Sequence, residues 1–198
     1  MNPAKLDTLR KKYANAKGGD IDVVLVGVPM DLGVTNRAGA RIGPRAVRGV
    51  ERIGPYEHVL KIAPMGMLKV ADIGDVPMAS RFSLEQCIAD IEAYLRRLRA
   101  ANVIALAVGG DHSVTYPILK ARGHERPVGM VHIDAHCDSA GEFEGSKFHH
   151  GGPFRQAVLV VEVAPQYDAT TITAQVGAQM LFTELCLVAA NPKRSRRT

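Results

Sequence analysis

Three short apolar runs, each stopped by proline, glycine or a polar cluster, constrain this chain more than any other feature. Ile21-Asp22-Val23-Val24-Leu25-Val26-Gly27-Val28 is rich in β-branched residues and ends at Pro29. Val103–Val108 reads VIALAV and ends at Gly109-Gly110, and Val128–Ile133 reads VGMVHI and ends at Asp134. Continuous apolar runs of this length suit strands buried on both faces of a sheet. Met67–Ile73 reads as a further strand. Helical segments separate the runs. Pro44, placed where a first turn tolerates proline, opens PRAVRGVERI. Ser83 and Gln86 form a capping box ahead of Leu84, Cys87, Ile88, Ile91, Leu95 and Leu98, which recur at helical spacing through Ala101. Tyr116–Arg122 is a shorter helix. Buried strands joined by helices give an α/β fold with a mostly parallel sheet.

Composition agrees with a globular chain. Of 198 residues, 46% are hydrophobic and 23% charged, which suits neither a disordered segment nor a membrane protein. No apolar run reaches the ~20 residues of a spanning helix, and MNPAKLDTLRKKYANAKGG lacks the apolar core of a secretion signal. These features lead to the expectation of a cytoplasmic protein with no membrane partner. Cys87, Cys137 and Cys186 are odd in number and far apart, the pattern of reduced thiols. The formal charge of +5 is concentrated at the ends. Residues 1–20 carry Lys5, Arg10, Lys11, Lys12 and Lys17, residues 191–198 carry Lys193, Arg194, Arg196 and Arg197, and the body between them, 21–190, is mildly acidic. With no Trp and 5% aromatics there is no base-stacking platform, so no nucleic-acid partner is expected.

In open α/β sheets ligands bind beyond the carboxyl ends of the strands, and two polar clusters stand there. Gly109-Gly110-Asp111-His112-Ser113 follows one run, and Asp134-Ala135-His136-Cys137-Asp138 follows another. Residues two apart on extended backbone point to the same side, so Asp134, His136 and Asp138 present two carboxylates and an imidazole together. A divalent ion relieves the repulsion of such a comb. Carboxylates favour manganese, and imidazole extends the choice to nickel, cobalt or zinc. His112 offers a further ligand from the neighbouring strand end. His132 shares the parity of the comb but sits inside the apolar run, and is read as a core histidine. His149 and His150, on a loop before Gly151-Gly152, are candidates for acid–base work near neutral pH.

Four segments taken in order, LVGVPMDLGVTNRAGARIGP, AVGGDHSVTYPILKA, VHIDAHCD and HHGGPFRQAV, resemble the ureohydrolases, the agmatinase, guanidinobutyrase and arginase group of dinuclear manganese hydrolases. The resemblance runs from about Ile21 to Leu159. It implies a three-layer arginase-like fold and hydrolysis of a guanidino compound to urea and an amine, by a chain that forms homo-oligomers. Carried over residue by residue, it makes His112 and Asp138 ligands of a first metal, Asp134 a bridge between two, and His136 a ligand of the second. It gives His150 the transfer of a proton to the leaving amine and Glu162 the binding of the substrate's guanidinium. The apolar stretch Thr171–Ala190 resembles the family's last helix. One departure stands out: the family's Ser-x-Asp-x-Asp stretch is absent, and the sequence reads as carrying an internal deletion near 159–161. The fold is therefore expected to be incomplete. Two rivals remain open, a catalytically dead chain that binds full-length subunits and a mononuclear zinc deacetylase of the same fold.

Overall fold

A computed structural model of the chain describes residues 21–50, 54–123, 132–153 and 172–191. Its centre is a parallel sheet of three strands, β1 (Val23–Val28), β2 (Val70–Asp75) and β3 (Ile104–Gly109), in the order β2-β1-β3. Four α-helices among the described residues surround or extend it, α1 (Gly43–Arg48), α2 (Leu84–Ala100), α3 (Thr115–Gly123) and α4 (Ile172–Ala189), with a short 3-10 turn at His112–Val114 leading into α3. The side-chain period of two on β1 sorts the layers. Val24, Val26 and Val28 pack with Cys87, Ile91, Leu95 and Leu98 of α2 and with Ile118 and Ala121 of α3. Val23 and Leu25 face the other way, towards Leu185 and Ala189 of α4 and Val47 of α1. The result is the expected three-layer α/β sandwich, with an open sheet.

Glycine is required where layers meet closely. A Cβ on Gly27 of β1 would lie 2.0 Å from Asp75 Oδ1 and 2.9 Å from Pro44 Cβ. The absent side chain lets α1 and β2 converge, and Arg48 locks them: Nε reaches Asp72 at 2.8 Å, Nη1 reaches Asp75 at 2.6 Å, and Nη2 donates to the Gly74 carbonyl at 2.9 Å. Such forked, charge-assisted contacts fix geometry more firmly than a lysine would.

The structure moves several expected boundaries. β2 starts at Val70, three residues later than expected, because Pro64–Gly66 forms a 3-10 turn in which the Pro64 carbonyl accepts from both Met67 and Leu68. α1 stops at Arg48, where Gly49 N–H closes the last turn, so only the start of PRAVRGVERI is helical among the described residues. Half of the capping box forms: Ser83 Oγ accepts from Gln86 N–H at 3.3 Å, but the Gln86 amide turns to Asp90 at 2.9 Å. The expected strand Val128–Ile133 lies mostly outside the described residues, and its last two residues, His132 and Ile133, are in irregular backbone. The basic segment 1–20 and the tail beyond Asn191 also lie outside them. No helix among the described residues is long and apolar enough to cross a membrane.

The loops leaving β1 and β3 are clamped together. Asp111 N–H donates to Met30 O at 2.9 Å, and the fully buried Asp111 carboxylate accepts from Gly33 N–H at 2.9 Å and Ser113 N–H at 2.7 Å. Gly110 makes this approach possible, since a Cβ there would fall 1.6 Å from Met30 O. Gly110→Ala is therefore expected to lower unfolding free energy by more than about 2 kcal/mol, the range of a forced backbone shift at a packed site. A urea melt with an unchanged midpoint would show that the loops do not meet.

Glu184 of α4 provides a pH signature. Its Oε1 is buried with no hydrogen-bond partner among the described residues, and burial pushes its carboxyl up to about 7. Because the folded-state value lies above the unfolded one of ~4.3, folding takes up a proton between them. The stability this group contributes is fully present below about pH 4.3 and is lost as pH rises towards about 7. Melting temperature should thus fall by a few degrees from about pH 5 to about pH 8, and Glu184→Gln should flatten that slope. Parallel slopes for the two proteins would count against it.

Candidate metal centre

The clamp aims His112 at the loop 132–138. His112 begins the 3-10 turn that Asp111 caps, and its side chain is only 7% exposed. Its Nδ1 contacts Asp138 Oδ2 closely and lies 3.5 Å from Asp134 Oδ2. Asp138 reaches this position with φ of 42°, a left-handed conformation that aspartate tolerates better than most residues. One donor atom from each of His112, His132, Asp134 and Asp138 lies within 4.8 Å of all the others. Two nitrogens and two carboxylate oxygens in that space are a donor set for a first-row divalent ion. These residues fit the metal that the resemblance implies.

Asp134 is the electrostatic hub. Burial opposes its ionisation, but the His136 N–H, donating to Oδ1 at 2.9 Å, and the neighbouring imidazoles of His112, His132 and His136 outweigh it. Together they hold its carboxyl below the usual carboxylate range. The hub is thus an anion at neutral pH, as a metal ligand must be.

The structure corrects the reading of His132 as a core residue. Its side chain is 21% exposed, its ring stacks on His112 with centroids 5.7 Å apart, and its Nε2 lies 3.5 Å from Asp134 Oδ2. Its even spacing from Asp134 and Asp138 carried the signal. The apolar run around it masked that signal. His136 stands apart from the four, with a side chain 80% exposed and Nδ1 at 3.4 Å from Asp134 Oδ1.

His150 is held by the loop after β1: its N–H donates to Gly33 O at 2.9 Å, and its Nε2 meets Thr35 Oγ1 at 3.1 Å. Nothing in the sequence marked Thr35. The buried His149 instead hydrogen-bonds the Gly141 carbonyl through Nε2 at 2.7 Å, bracing its own loop, and Gly152 leaves room for that ring. Next to it Ser113, Tyr116, Lys147, Phe148, His149, Gly152 and Pro153 line a small cavity of about 130 Å³. Glu162, expected to bind the guanidinium, lies outside the described residues.

Known proteins resemble the chain over most of its length. A guanidinopropionase from Pseudomonas aeruginosa is 46% identical over 157 residues, which cover 78% of this chain and 49% of that protein. A mitochondrial guanidino acid hydrolase of Homo sapiens is 40% identical over 162 residues, 77% of this chain and 46% of that one. The chain spans about half the length of the curated relatives it matches. Among solved structures, proclavaminate amidino hydrolase from Streptomyces clavuligerus superposes with a TM-score of 0.64 at 36% identity, covering 69% of this chain and 46% of that chain. A hypothetical agmatinase from Burkholderia thailandensis gives a TM-score of 0.76 over 85% of this chain and 86% of that one, and at 23% identity it shows the fold alone. Residues 21–160 match the arginase family, and the chain belongs to that family.

Proposed function

We propose that the chain is a metal-dependent hydrolase of a guanidino compound of the agmatine or guanidinobutyrate type, releasing urea and an amine. One observation carries this reading: beyond the carboxyl end of β3, in a chain of the arginase family, imidazole and carboxylate donors converge within 4.8 Å. His112, Asp134 and Asp138 would hold a first divalent ion, manganese by family precedent. Asp134 and the outward-facing His136 would hold a second. When bound, such ions supply a nucleophilic water at neutral pH and stabilise the charge that builds at the guanidinium carbon.

The chain's own groups do the rest. Glu162 would orient the planar guanidinium, because two carboxylate oxygens can accept its paired N–H groups. His150, whose ring is held against Thr35, would give a proton to the leaving nitrogen. Asp111 and Gly110 keep His112 in register with the 132–138 loop, so that the substrate meets a preformed set of donors.

Urea release from agmatine, 4-guanidinobutyrate and 3-guanidinopropionate, assayed with excess manganese, tests the reading. Asp138→Ala should lose more than about 100-fold of any such activity, because even outer partners of metal ligands cost 10–100-fold. Equal rates in both proteins would refute the assignment.

A second reading is favoured by the sequence itself, in which Asp20-Ile-Asp22 is the one Asp-x-Asp. Without the Ser-x-Asp-x-Asp carboxylates the second ion has few ligands, and the chain would act as an inactive partner of full-length subunits. A version carrying that segment between Leu159 and Val161 should then hydrolyse substrate on the order of a thousandfold faster, the scale of losing metal-activated water. Comparable rates would exclude the inactive reading.

A further inference from the structure

We propose that His132 is a direct metal ligand in this chain, the fourth donor to a single ion held also by His112, Asp134 and Asp138. The inference rests on the metal-binding reading above and adds to it a ligand that the DxHxD comb does not contain. Its support is geometric. Asp134 Oδ2 lies 3.5 Å from His112 Nδ1 and 3.5 Å from His132 Nε2, so one oxygen stands evenly between two ring nitrogens. That separation is too long for a hydrogen bond, whose donor and acceptor sit about 2.7–3.2 Å apart. It does match two ligands of one ion: donors about 2.1 Å from a tetrahedral centre lie roughly 3.4 Å from each other.

The rings of His112 and His132 are inclined by only 26°, stacked so that both can turn a nitrogen to the same carboxylate. Asp138 closes the set through Oδ2, which contacts the same His112 nitrogen, Nδ1, that faces Asp134. His136 faces the other oxygen of Asp134 and stays outside this group. Backbone parity explains the choice of residue. His132, Asp134, His136 and Asp138 all stand at even offsets along the chain, and the turn after Asp134 swings His136 outward while Asp138, through its left-handed backbone, returns to the cluster.

Cobalt(II) provides a test that needs no turnover. Titration of the wild-type chain should show one tightly bound ion and the intense visible absorption of a four-coordinate site. His132→Phe preserves an aromatic ring against His112 but removes the donor. It should weaken cobalt binding by about 100-fold or more, above the cost typical of an outer partner, and should shift the visible bands. His136→Ala should change the affinity of this ion by less than about threefold and leave the bands in place, and circular dichroism should show all three proteins folded. A wild-type chain that binds no cobalt overturns the metal-binding reading and this inference with it. A wild-type chain that binds cobalt, with the same affinity and spectrum in His132→Phe, overturns the inference alone. So does loss of the site in His136→Ala.

Discussion

The buried carboxylate of Asp111 is the constraint on which the functional end of the molecule depends. It accepts two backbone N–H groups, from Gly33 in the loop after β1 and from Ser113 in the turn after β3, inside a region closed to water. Leaving those donors unpaired would cost about 1–3 kcal/mol each, so the two loops are stable only together. Everything above the sheet follows from that union. His112 is placed by the turn that Asp111 caps, and His150 is placed by Gly33 and Thr35 on the partner loop.

The second organising force is charge. Asp134 and Asp138 bring negative charge to one small region, and three imidazoles gather around Asp134 at 3.4–3.5 Å. The dipoles of these rings and of the His136 N–H, which donates to Asp134 Oδ1, offset part of that charge. A divalent ion would provide the same compensation at a single point and with firmer geometry. The cluster is therefore an electrostatic problem that a bound cation would solve.

The sheet explains why these loops can be so closely set. β1 is central and carries valines to both faces, which forces helices onto each side and leaves only the strand ends for polar chemistry. Gly27 allows α1 to press against β2, and Arg48 then ties Asp72, Gly74 and Asp75 to that helix. The same crowding that stabilises the layers holds the strand ends in register for the loops above.

Local information in the sequence was enough to determine the layers. Apolar run length distinguished β1 and β3 from helices, helical spacing identified α2, and glycine and proline located the strand ends, because each signal reports on the few residues around it. The comb at 134–138 and His112 could likewise be named as donors from residue type and spacing. What tertiary structure alone decided was which donors meet. His132 looked like core because its neighbours in sequence are apolar, yet stacking on His112 draws it into the cluster. His136 has the right spacing on an ideal strand, but the backbone turns after Asp134 and leaves it outward. Asp111 and Thr35 acquire their roles only across loops far apart in sequence. Periodicity describes a regular backbone, and this cluster is built where the backbone ceases to be regular, so packing between loops decided which donors come together.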